Sequence, residues 1–122
     1  MKQEDKDLLL KDLCARLPYG VIVNVKGFDY DYNDKLTQIY KGVGCSIQVT
    51  TNVPYGIEQV KPYLFPLSSM TVEQKAELEQ IKNNEDAPYY HDINDFFLKY
   101  HLDNRHLIEK GLAIDATGLN IY

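Results

Sequence analysis

Tryptophan is absent from this chain of 122 residues, and cysteine, methionine and arginine occur only twice each. Each scarcity closes off a class of function. Cys14 and Cys45 stand far apart, with no C-x-x-C or comparable cluster that a metal site would need. Two reduced, mostly buried thiols acting as small hydrophobes are expected, and a disulfide between them has no pattern in its favour. With arginine confined to Arg16 and Arg105 and a net charge of −5, a grip on double-helical nucleic acid is not expected, because that needs clustered cations. No apolar run approaches the ~20 residues that cross a bilayer. The opening MKQEDKDLLLKDLCARL carries acids where a secretory signal would carry an uninterrupted apolar stretch. A cytoplasmic protein with no membrane partner is the expectation.

The material that is present describes one ordinary globular domain. A hydrophobic fraction of 44% and a charged fraction of 25% suffice for one core in a chain of this length. The charge is unevenly placed. Thr71 to Asp95 hold seven acids (Glu73, Glu77, Glu79, Glu85, Asp86, Asp92, Asp95) against Lys75 and Lys82, and the remainder is neutral. Tyrosine is the abundant aromatic, with ten copies. Tyr19, Tyr30, Tyr32, Tyr40, Tyr55, Tyr89 and Tyr90 fall in predicted loops or at element edges, where a large apolar face with a polar tip suits binding.

In chain order, residues 3–17 predict a helix whose inner stripe is Leu10, Leu13, Cys14 and Leu17, flanked by Leu9; Lys6, Asp7, Lys11 and Asp12 cover the other faces. Pro18 ends it. Val21–Lys26 is a strand with Val21, Val23 and Val25 on one side. Residues 27–34 read as a polar, tyrosine-rich loop. Lys35–Lys41 is a second strand, in which Leu36 and Ile39 share a face only if a bulge falls near Thr37. Gly42-Val43-Gly44 makes a tight connection to a third strand over Cys45–Thr51. Ile57, Val60 and Leu64 lack strand spacing and Pro62 removes a donor, so a single helical or 3₁₀ turn and an extended Tyr63–Pro66 are expected. Thr71 with Gln74 is a capping box that opens a helix running to Asn83-Asn84. Asp92 is expected to cap a further helix with the apolar face Ile93, Phe96, Phe97 and Tyr100. Asp103 starts a short helix carrying Leu107 and Ile108 that Gly111 terminates, and the apolar tail is expected to dock. Together these elements predict an α+β domain spanning 1–122: a helix and a small twisted antiparallel β-meander, laid out like an SH3 barrel, over 1–66, and a helical half over 67–122.

Three runs, LPYGVIVNV (17–25), IEQVKPYLFPLSSMTVEQK (57–75) and NDFFLKYHLDNRHLIEKGLAID (94–115), resemble a family of small uncharacterised proteins encoded in prophages and mobile elements of gut bacteria. Val60 to Thr71, VKPYLFPLSSMT, carry its most specific string, and the resemblance covers most of the chain. It implies a setting, accessory phage or mobile-element genes in a bacterial host, and supplies no activity or catalytic residue.

Motifs for catalysis are missing. Asp29, Asp31 and Asn33 open like a calcium loop, but Asp34 stands where glycine is needed and Tyr40 where glutamate is needed. His101 and His106 are not on one helix face, and His91 adds no ligand spacing. No G-x-S-x-G elbow or phosphate-binding G-x-x-x-x-G-K-[ST] occurs. No enzyme, cofactor or metal is therefore expected. The leading reading is a non-enzymatic binding module, with a homo-oligomeric form open to it, that engages a host or phage protein through Tyr30 and Tyr32 together with Glu73 and Glu77 on the acidic helix. The alternative is a small-ligand binder, such as a sponge for a nucleotide signal in anti-phage defence, built from Tyr89, Tyr90, His101, Arg105 and His106; Arg105 suits forked phosphate contacts. A third reading, single-stranded nucleic-acid binding, lacks a visible basic groove.

Overall fold

The structure is a computed structural model and describes residues 1–27, 29–42, 44–49, 54–83 and 89–122, with the side chains of 41–54 and 84–91 outside the description. The fold is α+β: an N-terminal helix, a mixed sheet and a C-terminal helical half. Helix α1 spans Gln3–Arg16 and runs into a 3₁₀ turn at Leu17–Tyr19, where Pro18 is accommodated. Strands β1 (Ile22–Lys26), β2 (Asp31–Gly42), β3 (Gly44–Val49) and β4 (Pro54–Gly56) follow. A 3₁₀ turn at Ile57–Gln59 leads into β5 (Val60–Leu64). Helices α2 (Val72–Asn83) and α3 (Tyr89–Lys99) and the two-residue strand β6 (Ile114–Asp115) complete the chain. No helix among the described residues is long and apolar enough to cross a membrane.

The strand order is β4-β3-β2-β1-β5-β6. All neighbours are antiparallel except β5 and β6, where Tyr63 and Leu64 pair in parallel with Ile114 and Asp115. The SH3-like closure expected from the sequence is corrected: among the described residues the sheet stays open, because the edge of β5 that a barrel would close upon is taken by β6 from the C-terminal segment. β2 is long and serves two partners. Asp31–Lys35 pair with β1, Leu36–Gly42 pair with β3, and the register shifts between Leu36 and Gln38. This is the bulge expected near Thr37, and it leaves Leu36 buried and Ile39 packed against the same core. The strand also claims Asp31–Asp34, which the sequence places in a loop. β5 is a ladder strand despite Pro62, which stands opposite Val23. Because β6 reaches only Tyr63 and Leu64, β5 is still an edge at Pro62, where a missing donor is tolerated.

Two apolar clusters fill the molecule. The first packs Leu9 and Leu13 of α1 against Val21, Val23, Val25, Leu36, Val60 and Leu64 of the sheet, with Leu107, Leu112 and Ala113 from the C-terminal segment. The second holds Phe96, Leu78 and Leu102, edged by Phe65, Leu67, Met70, Ile93, Phe97 and Tyr100. The α3 face expected from the sequence is thus the one that packs. The α1 face is rotated from expectation. Cys14 is exposed, and the buried stripe is Leu9, Asp12, Leu13 and Arg16. Cys45 lies outside the described side chains.

The capping box forms as the residues predict: Gln74 N–H donates to the Thr71 hydroxyl at 3.1 Å and Thr71 N–H donates to Gln74 Oε1 at 3.0 Å. Thr71→Ala should cost about 1 kcal/mol, read as a shift in the urea midpoint at constant slope. Asp103 does not start a helix. It is buried and accepts from the N–H groups of Leu107 and Ile108 at 2.8 and 3.0 Å, holding a series of turns that end at Gly111, φ +73°. Asp92 lies inside the first turn of α3 instead of capping it, and Tyr89 and Tyr90 are helical. The Gly42–Gly44 connection and the Asn83-Asn84 cap include residues outside the description.

Candidate functional site

Where α3 ends, the chain makes a reversal usually given to glycine. Leu102 N–H donates to Phe97 C=O at 2.9 Å and His101 N–H to Leu98 C=O at 3.2 Å, the pair of bonds that defines a Schellman cap. The residue at its left-handed position is His101, φ 55°. A side chain there costs roughly 1 kcal/mol or more relative to glycine, so something else must hold the imidazole. Backbone bonds anchor the turn on β5: Phe65 N–H donates to His101 C=O and Asp103 N–H to Phe65 C=O, both at 2.8 Å. The imidazole stacks on the Tyr122 ring, with centroids 3.7 Å apart and planes 11° from parallel. The Tyr122 hydroxyl in turn donates to Tyr63 C=O at 2.8 Å and accepts from Ile22 N–H at 2.9 Å. Burial pushes that phenol up to about 12, so it stays protonated and keeps both bonds at neutral pH.

His101 Nδ1 is buried and has no hydrogen-bond partner among the described residues. Burial, reinforced by the nearby Arg16 guanidinium, lowers the imidazole to about 4. The ring is therefore neutral at physiological pH. Between about 4 and its ordinary value near 6.5 the unfolded chain binds the proton and the folded one does not. Stability should accordingly fall as pH drops through that window, by on the order of 1–2 kcal/mol after discounting for the ring's partial exposure. The check is the pH dependence of denaturant unfolding in the wild type minus that in His101→Gly, which subtracts the carboxylates common to both.

The turn forms one wall of a cleft of about 350 Å³ lined by Phe65, Ser69, Thr71, Gln74, Lys99, Tyr100, His101, Leu102 and Tyr122. Three elements supply these residues: the segment after β5 with the N-terminal turn of α2, the last turn of α3, and the C-terminal residue. Four are aromatic. Thr71 and Gln74 belong to the capping box, so the positive end of α2 faces the same space. Lys99 lies 5.0 Å from the centre of the Tyr100 ring and 3.2 Å from Glu77. Burial works to lower the Lys99 amine, and the Glu77 carboxylate more than offsets it, leaving it raised and charged. An apolar, ring-lined cleft with a few polar groups at its rim is the usual form of a small-ligand site.

The residues singled out from the sequence separate. Of the alternative ligand set, His101 lines the cleft. Arg105 is not there: its guanidinium donates to Asp12 at 2.9 Å as part of a buried network. His106 is exposed, at a left-handed φ of 58°. The side chains of Tyr89 and Tyr90 lie outside the description. Of the protein-binding set, Tyr30 is 72% exposed, whereas Tyr32 is half-buried and shares a 2.6 Å hydrogen bond with Tyr55. Glu73 is exposed on α2, and Glu77 is committed to Lys99. The register puts the two halves of that surface at opposite ends of the sheet. Tyr30 and Tyr32 sit by the β1–β2 turn, level with the start of β5, while α2 begins beyond its end. They do not form one surface. Lys99, Tyr100, Phe65 and Tyr122 are the cleft residues the sequence reading missed.

No protein family, curated protein or solved structure matches the chain.

Proposed function

We propose that this chain is a non-enzymatic binding module whose site is the cleft beside His101, and that its ligand is a small, flat, anionic molecule of the nucleotide type. The observation that carries the reading is His101 itself: a strained, non-glycine cap whose imidazole is stacked, neutral and unpartnered at Nδ1 in the wall of a four-ring cleft. Backbone strain retained at a cleft is a pointer to function. A planar ring entering the cleft would lie against Tyr100 and Phe65, and the Lys99 ammonium with the α2 N-terminus would favour a negative group at the rim. Within a prophage or mobile-element setting, this corresponds to a protein that sequesters a nucleotide signal in its bacterial host.

Thermal-shift screening against mono-, di- and cyclic nucleotides tests the reading. A ligand at about 100 times its Kd adds about 2.7 kcal/mol, a rise of several degrees in Tm for a domain of this size. His101→Gly is the informative variant, because glycine suits the left-handed cap and keeps the fold. A hit should lose its stabilisation in His101→Gly and in Lys99→Gln. A hit whose shift is unchanged in both variants would place its site elsewhere and sink the reading.

A second reading rests on Tyr30, exposed at the β1–β2 turn and tilted against Tyr32 with centroids 5.9 Å apart. This tip would engage a host or phage protein, and Tyr30→Ala should then abolish capture of that protein without changing Tm.

A further inference from the structure

The sheet has a second face, turned away from both apolar clusters. Antiparallel partners project to the same side, so Asn24 shares this face with its two partners, Asn33 on β2 and Lys61 on β5. Lys26, opposite Asp31, and Lys35, opposite Ile22, lie one step further along in either direction. Three lysines thus surround a pair of asparagines. None of the three ammonium groups has a hydrogen-bond or ion-pair partner among the described residues, and Lys61 is only partly exposed. In a chain of net charge −5, that is a local reversal of sign.

The amides at the centre are oriented. Asn33 Oδ1 accepts from Asn24 Nδ2 at 3.0 Å and from the Tyr63 hydroxyl at 2.8 Å. Both its acceptor positions are filled, which fixes the amide and turns the two N–H groups of Asn33 Nδ2, which have no partner among the described residues, toward the lysines. Beside it Asn24, Lys26, Glu58, Gln59, Lys61 and Ile114 line a recess of about 380 Å³. Its one carboxylate, Glu58, is held below its ordinary value by Lys6, with which it pairs. Asp31 is the other acid on this face; it is exposed and pairs with no lysine here.

We infer that the Lys26–Asn33–Lys61 face is a binding site for a linear oligophosphate, with Lys35 extending it along β2. Lysines act as point charges toward phosphate and the amide adds direction. By the register, Lys26 and Lys61 are diagonal neighbours roughly 7–8 Å apart, and Lys35 stands roughly 12–14 Å from both. These spans match several phosphates in a chain better than one. Tyr63 is buried and offers no open ring, so the phosphates are contacted without base stacking. This site is separate from the cleft beside His101 and stands or falls independently of it.

The test is isothermal titration of the intact chain with inorganic tripolyphosphate at low salt, with single-stranded oligothymidylate as a second arm. One site is expected, weakening as salt rises. Lys61→Gln and Lys26→Gln should each weaken it at least threefold and the double variant at least tenfold. Lys75→Gln, on exposed α2, should leave it unchanged, and so should His101→Gly. Circular dichroism confirms that the variants fold. Absence of binding at millimolar tripolyphosphate, or a double variant that binds like wild type, overturns the inference. Binding of oligothymidylate alone also overturns it, in favour of contacts to bases.

Discussion

Arg16→Ala should destabilise the protein by about 3–5 kcal/mol, the usual cost of stripping one partner from a buried ion pair. Arg16 and Asp12 are fully buried. The guanidinium donates from Nε to Asp12 Oδ2 at 2.7 Å, and from Nη2 to Leu102 C=O at 2.7 Å and Asn104 Oδ1 at 3.0 Å. The second Asp12 oxygen accepts from Arg105 at 2.9 Å. Alanine would leave a buried carboxylate with one peripheral partner, a carbonyl without its donor, and a cavity the size of the side chain. Against a total of about 5–15 kcal/mol, this is a fifth of the stability or more. Urea unfolding followed by circular dichroism gives the number, and a loss under 1 kcal/mol would refute the account. The double change Asp12→Leu with Arg16→Met should cost much less than the single one, because replacing a buried pair by apolar side chains of similar volume removes both desolvation penalties at once.

Phe96→Ala should also cost about 3–5 kcal/mol, by a different route. Phe96 is fully buried at the centre of the second cluster and meets Phe97 and Tyr100 edge-on, at 5.6 and 5.2 Å between centroids. No polar group is orphaned; the loss is area, dispersion and aromatic geometry. The variant also reports how the halves are joined. The Arg16 bonds to Leu102 and Asn104, the Tyr19 hydroxyl on Asp95 and the Phe65–His101 bonds all tie α3 and its cap to α1 and the sheet. If these couple the clusters, far-ultraviolet signal and tyrosine fluorescence will be lost in one coincident transition. A helical half that melts well before the sheet would show that the ties are too weak to do so.

The parts of the fold legible in the sequence are those set by local chemistry. The capping box at Thr71, the phase slip at Thr37 and the apolar face of α3 each depend on residues within one or two turns of one another. What escaped was decided at long range. Asp12 and Arg16 look like solvent charges on α1 until Arg105 and Asn104 arrive from the far end of the chain to bond them; the spacing 9, 12, 13, 16 is helical, but two of its four residues are charged, which reads as a solvent face. β5 reads poorly as a strand because Pro62 is tolerated only through the shortness of β6. Asp31–Asp34 become strand because β1 offers them partners, which outweighs their weak intrinsic preference. The cleft was the least legible feature, since its walls come from three separated segments and its key conformation, the left-handed His101, follows from a Schellman turn with no glycine to announce it.

The parallel pairing of Tyr63 with Ile114 has a consequence for how the chain is made. When β5 leaves the ribosome its outer edge has no neighbour, and the strand that covers it emerges only after both α2 and α3 have been synthesised. At translation rates of roughly 5–20 residues per second, the interval lasts several seconds, long compared with the microseconds in which helices and hairpins form. Throughout it an open strand edge is available to other nascent chains. Slowing synthesis between Leu64 and Ile114, with rare codons for instance, should therefore lower the soluble yield, while the same slowing before Val60 should not.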